Sequence, residues 1–285
     1  MSAVATELRM HEFRLLRDVI ADYCGIYTPD EGIATFARKL ARAMQDTQAE
    51  DFTEYYHLLK YGDSSELERA VDAIVNNETY FFRELTQIEA LLEIVRDAPG
   101  GARSIRILSA GCSTGEEPYT IAMLIDEAGL FDTGRRIEIH GVDISSRALE
   151  KARHAKYTSN SFRSAEGRYL DWYFKPVEGV LRLEESLRRR VSFSQVNLMD
   201  TKKLLSLGMF DVVLCRNVMI YFDNVNRLRA LDGLVGVTRE AGHMFVGHSE
   251  SLFNVTNALE MVQVGKAIGY RKPVEAPLES GAVRE

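Results

Sequence analysis

From residue 104 onward, short apolar runs alternate with amphipathic segments, and this rhythm restricts the chain to a few folds. The apolar runs predict strands at 104–109, 137–142, 191–197, 210–215 and 243–247, with 263–271 as a candidate for a closing strand. Helical spacing predicts the intervening helices, at 116–128, 145–155 and 225–238. Strands that alternate with helices in this way predict an α/β fold, a doubly wound and mostly parallel sheet.

Residues 1–75 follow a different pattern, because their apolar residues recur at helical spacing throughout. The pattern predicts helices near 13–23, 33–44, 51–60 and 64–75, and Gly25 is placed to end the first of them. This segment is acidic, with 8 Lys and Arg residues against 14 Asp and Glu residues. We therefore expect an all-α N-terminal domain ahead of the sheet domain.

These patterns divide the chain into an all-α domain at 1–75, a linker at 76–100 and an α/β domain at 101–272. Aromatic residues and a short alternating run interrupt the rhythm at about 156–190, where we expect a small antiparallel β insertion. Two prolines and a glycine follow residue 272 and predict a disordered tail at 273–285.

Composition argues against nucleic-acid, metal and membrane functions. With 35 basic and 42 acidic residues the net charge is −7, whereas a nucleic-acid-binding protein needs a basic surface. Three cysteines occur without a Cys-x-x-Cys pair, which is typical of a reduced cytoplasmic protein and predicts no metal site. The first residues do not resemble a signal peptide, and no run approaches the ~18 apolar residues of a membrane span.

The strongest ligand signal is the turn after the first predicted strand, where Gly111 and Gly115 stand in SAGCSTGEEP. Glycines there let a ligand approach the backbone at the carboxyl end of the sheet. The next strand ends in Asp143, whose carboxylate is placed to accept hydrogen bonds from both hydroxyls of a ribose. Together the two features favour a cofactor that contains adenosine, although Asp143 would also suit the N-cap of the following helix.

Two glutamates at the start of the next helix narrow the choice of cofactor. A dinucleotide would place its pyrophosphate at this helix N-terminus, where Glu116 and Glu117 would repel it. S-adenosylmethionine carries no phosphate, and Glu117 could bind its ammonium group. S-adenosylmethionine is therefore the expected cofactor, although acidic residues also stabilise a helix N-terminus without any ligand.

The same turn fits G-x-S-x-G, the nucleophile elbow of α/β-hydrolases, with Ser113 as the nucleophile. The candidates for the orienting acid and the base would be Asp211, Asp223, His243 and His248. Against this alternative, hydrolases place several strands before the elbow, and Asp143 would have no role. A third alternative is a scaffold that binds the cofactor without catalysis.

Five ordered motifs make the sequence recognisable: NETYFFRE, SAGCSTGEEPYTIAMLI, GVDISSRALEKA, FDVVLCRNVMIYFD and GHSESL. Together they resemble the chemotaxis receptor methyltransferases of the CheR family over about residues 10–272. The resemblance implies a class I S-adenosylmethionine-dependent methyltransferase, Rossmann-like in fold. The implied reaction forms methyl esters on glutamate side chains of methyl-accepting chemotaxis receptors. The implied partner is the cytoplasmic helical bundle of those receptors, and we expect a cytoplasmic monomer.

The resemblance also implies roles for individual residues. It implies cofactor contacts at Asn77, Thr79, Arg83, Glu117, Asp143, Asn197, Leu198, Arg216 and Asn217. The receptor-docking helix of the family matches a basic stripe that would also suit a solvated helix face, at Arg38, Lys39 and Arg42. In some members the β insertion binds a receptor C-terminal pentapeptide through a loop that looks shorter here, at 175–179. We therefore expect methylation that does not depend on the pentapeptide.

A glutamate acceptor removes the need for a general base, because its side chain is ionised at neutral pH. Catalysis then depends on aligning the carboxylate for in-line displacement. We expect Arg83 to position the carboxylate, and Tyr221 to donate a hydrogen bond near the methyl group or a substrate oxygen.

Overall fold

The computed structural model describes residues 7–98 and 104–274. Its N-terminal helices are α1 (Met10–Cys24), α2 (Ile33–Met44), α3 (Phe52–Tyr61) and α4 (Ser64–Ile74). Gly25 ends α1 in a left-handed conformation, and its N–H donates to the carbonyl of Ala21 at 2.8 Å. The apolar faces of these helices enclose a core of their own around Phe13, Leu16 and Phe52, which confirms the expected all-α domain.

The remaining elements follow in chain order. They are α5 (Leu85–Asp97), β1 (Ile105–Ala110), α6 (Glu116–Glu127), β2 (Ile137–Asp143), α7 (Ser146–His154), β3 (Lys156–Tyr157), α8 (Gly167–Tyr173), β4 (Phe174–Val177), β5 (Val180–Leu183), α9 (Glu185–Arg188), β6 (Val191–Gln195), α10 (Thr201–Leu205), β7 (Phe210–Cys215), α11 (Asn224–Val237), β8 (Thr238–Val246), β9 (Glu260–Val264) and β10 (Ala267–Arg271). None of the helices in the described part of the chain is long and apolar enough to cross a membrane.

Seven strands form one sheet in the order β6-β2-β1-β7-β8-β10-β9, and the first five of these are parallel. Alternate residues of β7 show how the sheet is covered. Val212 and Leu214 enter the core beneath α5 and α6, whereas Val213 and Cys215 enter the core beneath α10 and α11. Helices therefore cover both faces, as the sequence predicted.

Two parts of the chain differ from their predicted elements. The prediction of a single closing strand at 263–271 is wrong. Gly265, with φ +52°, turns the chain there, between two antiparallel strands, β9 and β10. The segment expected as a linker contains α5, whose Ile88, Leu91 and Val95 are buried in the core that also contains residues of α6. Most of the predicted tail, 275–285, lies outside the described residues.

The expected β insertion is a three-stranded antiparallel sheet in the order β3-β5-β4. Glu178 and Gly179 connect β4 to β5, and both have left-handed backbones, as a two-residue type I′ turn requires. Rings of Tyr157, Phe162 and Phe174 surround Phe81 with centroid distances of 4.8–5.2 Å. This aromatic cluster attaches the insertion to the NETYFFRE segment.

Candidate functional site

The turns that follow β1, β2 and β7 open onto a pocket of about 960 Å³, part of it open to solvent. Its lining contains every residue predicted to bind the cofactor or to act in catalysis except Gly115, namely Asn77, Thr79, Arg83, Gly111, Glu117, Asp143, Asn197, Leu198, Arg216, Asn217 and Tyr221. Cys24 and Ile26, from the end of α1 onward, also line it, so the N-terminal domain supplies part of the wall.

The two glycines of the first turn have different tasks. Gly111 lines the pocket with φ +74°, and a Cβ atom there would collide with the side chain of Val218. Gly115 begins α6 with φ +91°, and a Cβ atom would lie 2.9 Å from that of Ala152 on α7. Gly115 therefore allows two helices to pack closely, and it lies outside the pocket lining.

Asp143 stands at the end of β2 with its carboxylate buried. One carboxylate oxygen accepts the N–H of Ser113 at 2.8 Å, and the other accepts the N–H of Ser145 at 2.9 Å. Burial raises the pKa of this carboxyl, while the two backbone donors lower it. The N-cap of α7 is Ser145, whose hydroxyl accepts the N–H of Ala148, so Asp143 is not needed as a cap.

Of the two glutamates at the start of α6, only Glu117 reaches the pocket. It accepts a hydrogen bond from the hydroxyl of Ser109 at 2.6 Å and lies 3.3 Å from a guanidinium nitrogen of Arg216. Glu116 is buried and accepts from the hydroxyls of Thr114 and Ser161, and burial raises its pKa. The pocket therefore presents one glutamate carboxylate from this helix.

Arg216 directly follows β7, and its side chain is only 2% exposed. Its Nη2 donates to the backbone carbonyl of Arg83 and lies 3.6 Å from the carboxylate of Glu84. Its Nε is buried and has no hydrogen-bond partner within the part of the chain that the structure describes. A buried donor of this kind costs free energy unless a ligand satisfies it.

Arg83 lies at the mouth of the pocket in a strained segment, because its neighbours Phe82 and Glu84 have φ values of +63° and +49°. One guanidinium nitrogen of Arg83 donates to the carbonyl of Glu78 at 3.2 Å. The segment is anchored by the N–H of Phe82, which donates to the hydroxyl of Thr120 at 3.1 Å. Arg83 is partly exposed and is therefore accessible to a substrate.

At the pocket, Tyr221 contacts the segment that follows the N-terminal domain, and Asn197 contacts the N-terminal domain itself. Asn76 donates a hydrogen bond from its amide nitrogen to the hydroxyl of Tyr221 at 2.9 Å. Asn197 donates to the backbone carbonyl of Tyr23 at 2.6 Å, and its amide oxygen accepts the N–H of Met199. The side chain of Asn197 is therefore already engaged in joining the domains.

Sequence reasoning missed two glutamates that shape the site. Glu250 is 1% exposed, and its carboxylate accepts four backbone N–H groups, those of Asn217, Val218, Ile220 and Gly247. Glu84 accepts from the side-chain amide of Asn217 at 3.2 Å and from the N–H of His248 at 3.3 Å. Both stand in recognised motifs, but their partners are distant in sequence, so spacing alone could not identify them.

The hydrolase alternative finds no support in these contacts. The hydroxyl of Ser113 donates to the carbonyl of Asn77 at 3.0 Å, and no hydrogen bond in the described residues joins it to a histidine. Asp223 caps α11, and Asp211 accepts the N–H of Arg106. Cys112 and Cys215 are fully buried, which raises the pKa of both thiols and disfavours the nucleophilic thiolate.

The predicted docking stripe on α2 is divided. Arg38 and Arg42 are exposed. Lys39 is half-buried, and its ammonium donates to the carbonyl of Ile74 at the end of α4, 2.7 Å away. Desolvation lowers the pKa of Lys39. Two guanidinium groups, rather than three cations, are therefore presented on this face.

Comparisons with known proteins agree with this architecture. The family model for the CheR methyltransferase all-alpha domain matches residues 11–75, and that for the CheR methyltransferase SAM binding domain matches residues 77–268. Chemotaxis protein methyltransferase 2 of Vibrio cholerae is 33% identical over 92% of this chain and 93% of its own. The chemotaxis protein methyltransferase of Salmonella typhimurium is 33% identical over 87% of this chain and 86% of its own. The probable biofilm formation methyltransferase WspC of Pseudomonas aeruginosa is 33% identical over 93% of this chain and 62% of its own. The chain belongs to the CheR methyltransferase family and uses S-adenosylmethionine as its cofactor.

Proposed function

We propose that this chain forms methyl esters on glutamate side chains of methyl-accepting chemotaxis receptors. The observation that carries the proposal is the position of Arg83 and Tyr221 in a pocket whose other walls hold Glu117 and Asp143. A cation suited to an anionic acceptor thus lies beside carboxylates suited to a cationic cofactor. The relatives in Vibrio cholerae and Salmonella typhimurium are named chemotaxis protein methyltransferases, which supports methyl transfer in chemotaxis.

The pocket residues fit S-adenosylmethionine by charge and by hydrogen-bonding capacity. Glu117 would bind the ammonium group, and Asp143, already fixed by two backbone donors, would accept from the ribose hydroxyls. The buried Nε of Arg216, which has no hydrogen-bond partner among the residues that the structure describes, would donate to the carboxylate end of the cofactor. Bound there, the cofactor supplies an electrophilic methyl group attached to a positively charged sulfur.

The protein residues then have to align the acceptor. Because a glutamate side chain is ionised at neutral pH, none of them has to remove a proton. Arg83 positions the carboxylate, and alignment at near-attack distance is worth up to about 7–11 kcal/mol in favourable systems. The carboxylate must not be bound too tightly, since stabilising the ground state alone does not accelerate transfer. The hydroxyl of Tyr221 accepts a hydrogen bond from Asn76. It donates its own hydrogen bond to the acceptor oxygen or lies beside the methyl group.

Two surface features bear on receptor recognition. Arg38 and Arg42 of α2 would contact acidic residues on the helical bundle of the receptor. The two-residue turn at Glu178 and Gly179 leaves little loop for a tethering peptide, which supports methylation without the receptor pentapeptide. We propose a monomer that acts in the cytoplasm, organised as domains 1–75 and 101–272 with the NETYFFRE segment between them.

The test uses labelled methyl groups and the purified signalling fragment of each chemotaxis receptor of the source organism. A glutamate methyl ester releases labelled methanol in mild base, which distinguishes it from methylation of nitrogen. We expect Arg83→Ala to lower kcat by roughly 10²-fold, because a mispositioned acceptor loses that much. Arg96→Ala, which removes an exposed arginine from α5, is the matched control.

Two results would contradict these assignments. Near-wild-type turnover of Arg83→Ala would remove the positioning role of Arg83. A wild-type protein that binds S-adenosylhomocysteine and yields no ester with any receptor would be a non-catalytic scaffold.

A further inference from the structure

Arg163, in the β insertion, places a second guanidinium group at the rim of the pocket. Its Cζ lies 3.8 Å from the centre of the Tyr80 ring, and its Nη2 lies 2.9 Å from the carboxylate of Glu78. Both partners line the pocket. Arg83 contacts the same two residues, since its Cζ lies 5.6 Å from the Tyr80 ring and it donates to the carbonyl of Glu78. Two cations therefore share one mouth.

The backbone beneath Arg163 is held firmly against the segment that carries Arg83. The N–H of Phe81 donates to the carbonyl of Ser161 at 2.8 Å. The ring of Phe162 stacks on that of Phe81, with centroids 5.1 Å apart and an interplanar angle of 11°. A cation whose position is fixed in advance loses less entropy when it binds a ligand.

Another carboxylate can displace Glu78 from Arg163. The side chains of Arg163 and Glu78 are 47% and 64% exposed, and ion pairs in such positions are weak. The planar guanidinium group matches a carboxylate in shape and charge. A substrate carboxylate that enters the mouth would meet Arg163 directly and compete with Glu78 for it.

We propose that Arg163 binds a second carboxylate of the substrate, next to the glutamate that Arg83 positions, and that Glu78 holds Arg163 until the substrate arrives. The proposal rests on the proposed function and extends it to substrate choice. The enzyme selects protein segments that present two acidic side chains on one surface. The β insertion thereby contributes a specificity-determining residue to the active site.

The test compares steady-state kinetics of Arg163→Ala, Arg163→Lys and Glu78→Gln with a purified receptor signalling fragment. Arg163→Ala should raise KM for the fragment by about twofold to fivefold, the range that an exposed ion pair supports, with kcat unchanged. Arg163→Lys keeps the charge and loses the planar group, so its KM should fall between those of wild type and Arg163→Ala. Glu78→Gln frees Arg163 and should lower KM.

Two controls make the measurement specific. Arg189→Ala removes an exposed arginine paired with Glu185 in the same region, away from the mouth, and should leave KM unchanged. The KM difference between wild type and Arg163→Ala should shrink in high salt, since screening weakens exposed ion pairs. Affinity for S-adenosylhomocysteine should stay constant in Arg163→Ala, Arg163→Lys and Arg189→Ala, because Arg163 and Arg189 do not line the pocket.

Several outcomes would overturn the proposal. An unchanged KM in Arg163→Ala would exclude a substrate contact. If Arg163→Ala and Glu78→Gln raise KM alike, or weaken S-adenosylhomocysteine binding, the pair only supports the loop. Ester formation by the wild-type enzyme is measured in the same assay, so failure of the proposed function would be seen separately as an absence of product.

Discussion

The buried carboxylate of Glu250 lies 2.5 Å from the backbone nitrogen of Asn217, across the ends of two neighbouring strands. Asn217 has a left-handed backbone with φ +59°, and the turn it begins carries Tyr221 into the pocket. An ionised carboxylate can accept four hydrogen bonds and donates none, which matches the four N–H groups around Glu250. The shape of the catalytic turn therefore depends on a residue that does not line the pocket.

Glu250→Gln should weaken S-adenosylhomocysteine binding about tenfold and lower the free energy of unfolding by about 1–3 kcal/mol, since an amide presents a donor to backbone N–H groups. Titration calorimetry and urea unfolding measure the two effects. Glu240→Gln, at an exposed position in β8, should change neither. Wild-type affinity in Glu250→Gln would show that the turn keeps its shape without the carboxylate.

The role of the Tyr221 hydroxyl can be tested separately from that of Asn76, which donates a hydrogen bond to it. Tyr221→Phe should lower kcat by roughly 10- to 100-fold, because a donor near the acceptor oxygen is lost. Asn76→Ala leaves the hydroxyl in place and removes its 2.9 Å partner, so its loss should be several times smaller. Single-turnover methylation at saturating cofactor measures both. Equal losses in the two variants would mean that the hydroxyl serves only to bind Asn76.

Asp143 should govern cofactor affinity. Asp143→Asn should weaken S-adenosylhomocysteine binding about 10- to 100-fold, since hydrogen bonds to a charged group are lost. Burial raises the pKa of Asp143, so affinity in the wild type should begin to fall at a higher pH than for an ordinary aspartate. Calorimetry between pH 7 and pH 4 follows this change, and Asp132→Asn is the exposed control. A variant that binds as tightly as wild type would remove the ribose contact.

The N-terminal domain should be acid-sensitive through Glu12. A hydrogen bond from Arg9, aided by Thr53 on α3, lowers the pKa of Glu12 to about 2. A depressed carboxyl pKa stabilises the fold above the ordinary carboxyl range, and this contribution is lost as pH falls toward 2. Since Arg9 is largely exposed and screened, Glu12→Gln should cost about 1 kcal/mol at pH 7.

The cost of Glu12→Gln should shrink as the pH approaches 3. Urea unfolding of the full chain, followed by circular dichroism, measures this difference at each pH. Glu7→Gln at an exposed position is the control. A cost that does not change between pH 7 and pH 3 would contradict the assigned pKa.

Elements with strong local signals were predictable from the sequence. The predicted bounds of α2 and β7 agree with the structure, because apolar periodicity marks α2 and a short run that is apolar apart from Asp211 marks β7. Helix α5 has helical spacing at Ile88, Leu91 and Val95. The segment was nevertheless predicted as a linker, because it directly follows the NETYFFRE motif. At β9 and β10, Gly265 was the signal for a hairpin within the apolar run.

The lining of the pocket was predictable where a residue type carries its own chemistry, since Asp143 and Glu117, both singled out from the sequence, line it. It was not predictable where the role depends on tertiary neighbours. At Gly115 a side chain would collide with Ala152 on another helix. The ammonium group of Lys39 donates a hydrogen bond to the carbonyl of Ile74 and so is not free on the surface. Spacing in a single sequence does not contain such distances.

The contribution of the N-terminal domain to the pocket wall has a consequence for how such proteins can be cut or recombined. The carbonyl of Tyr23 receives Asn197, and Ile26 forms a bridge with Phe222. A chain that starts at residue 76 would keep its sheet and lose the pocket wall that the N-terminal domain supplies. An N-terminal domain exchanged between relatives would likewise have to match these contacts. Residues on the two sides of the domain contact can therefore change only together.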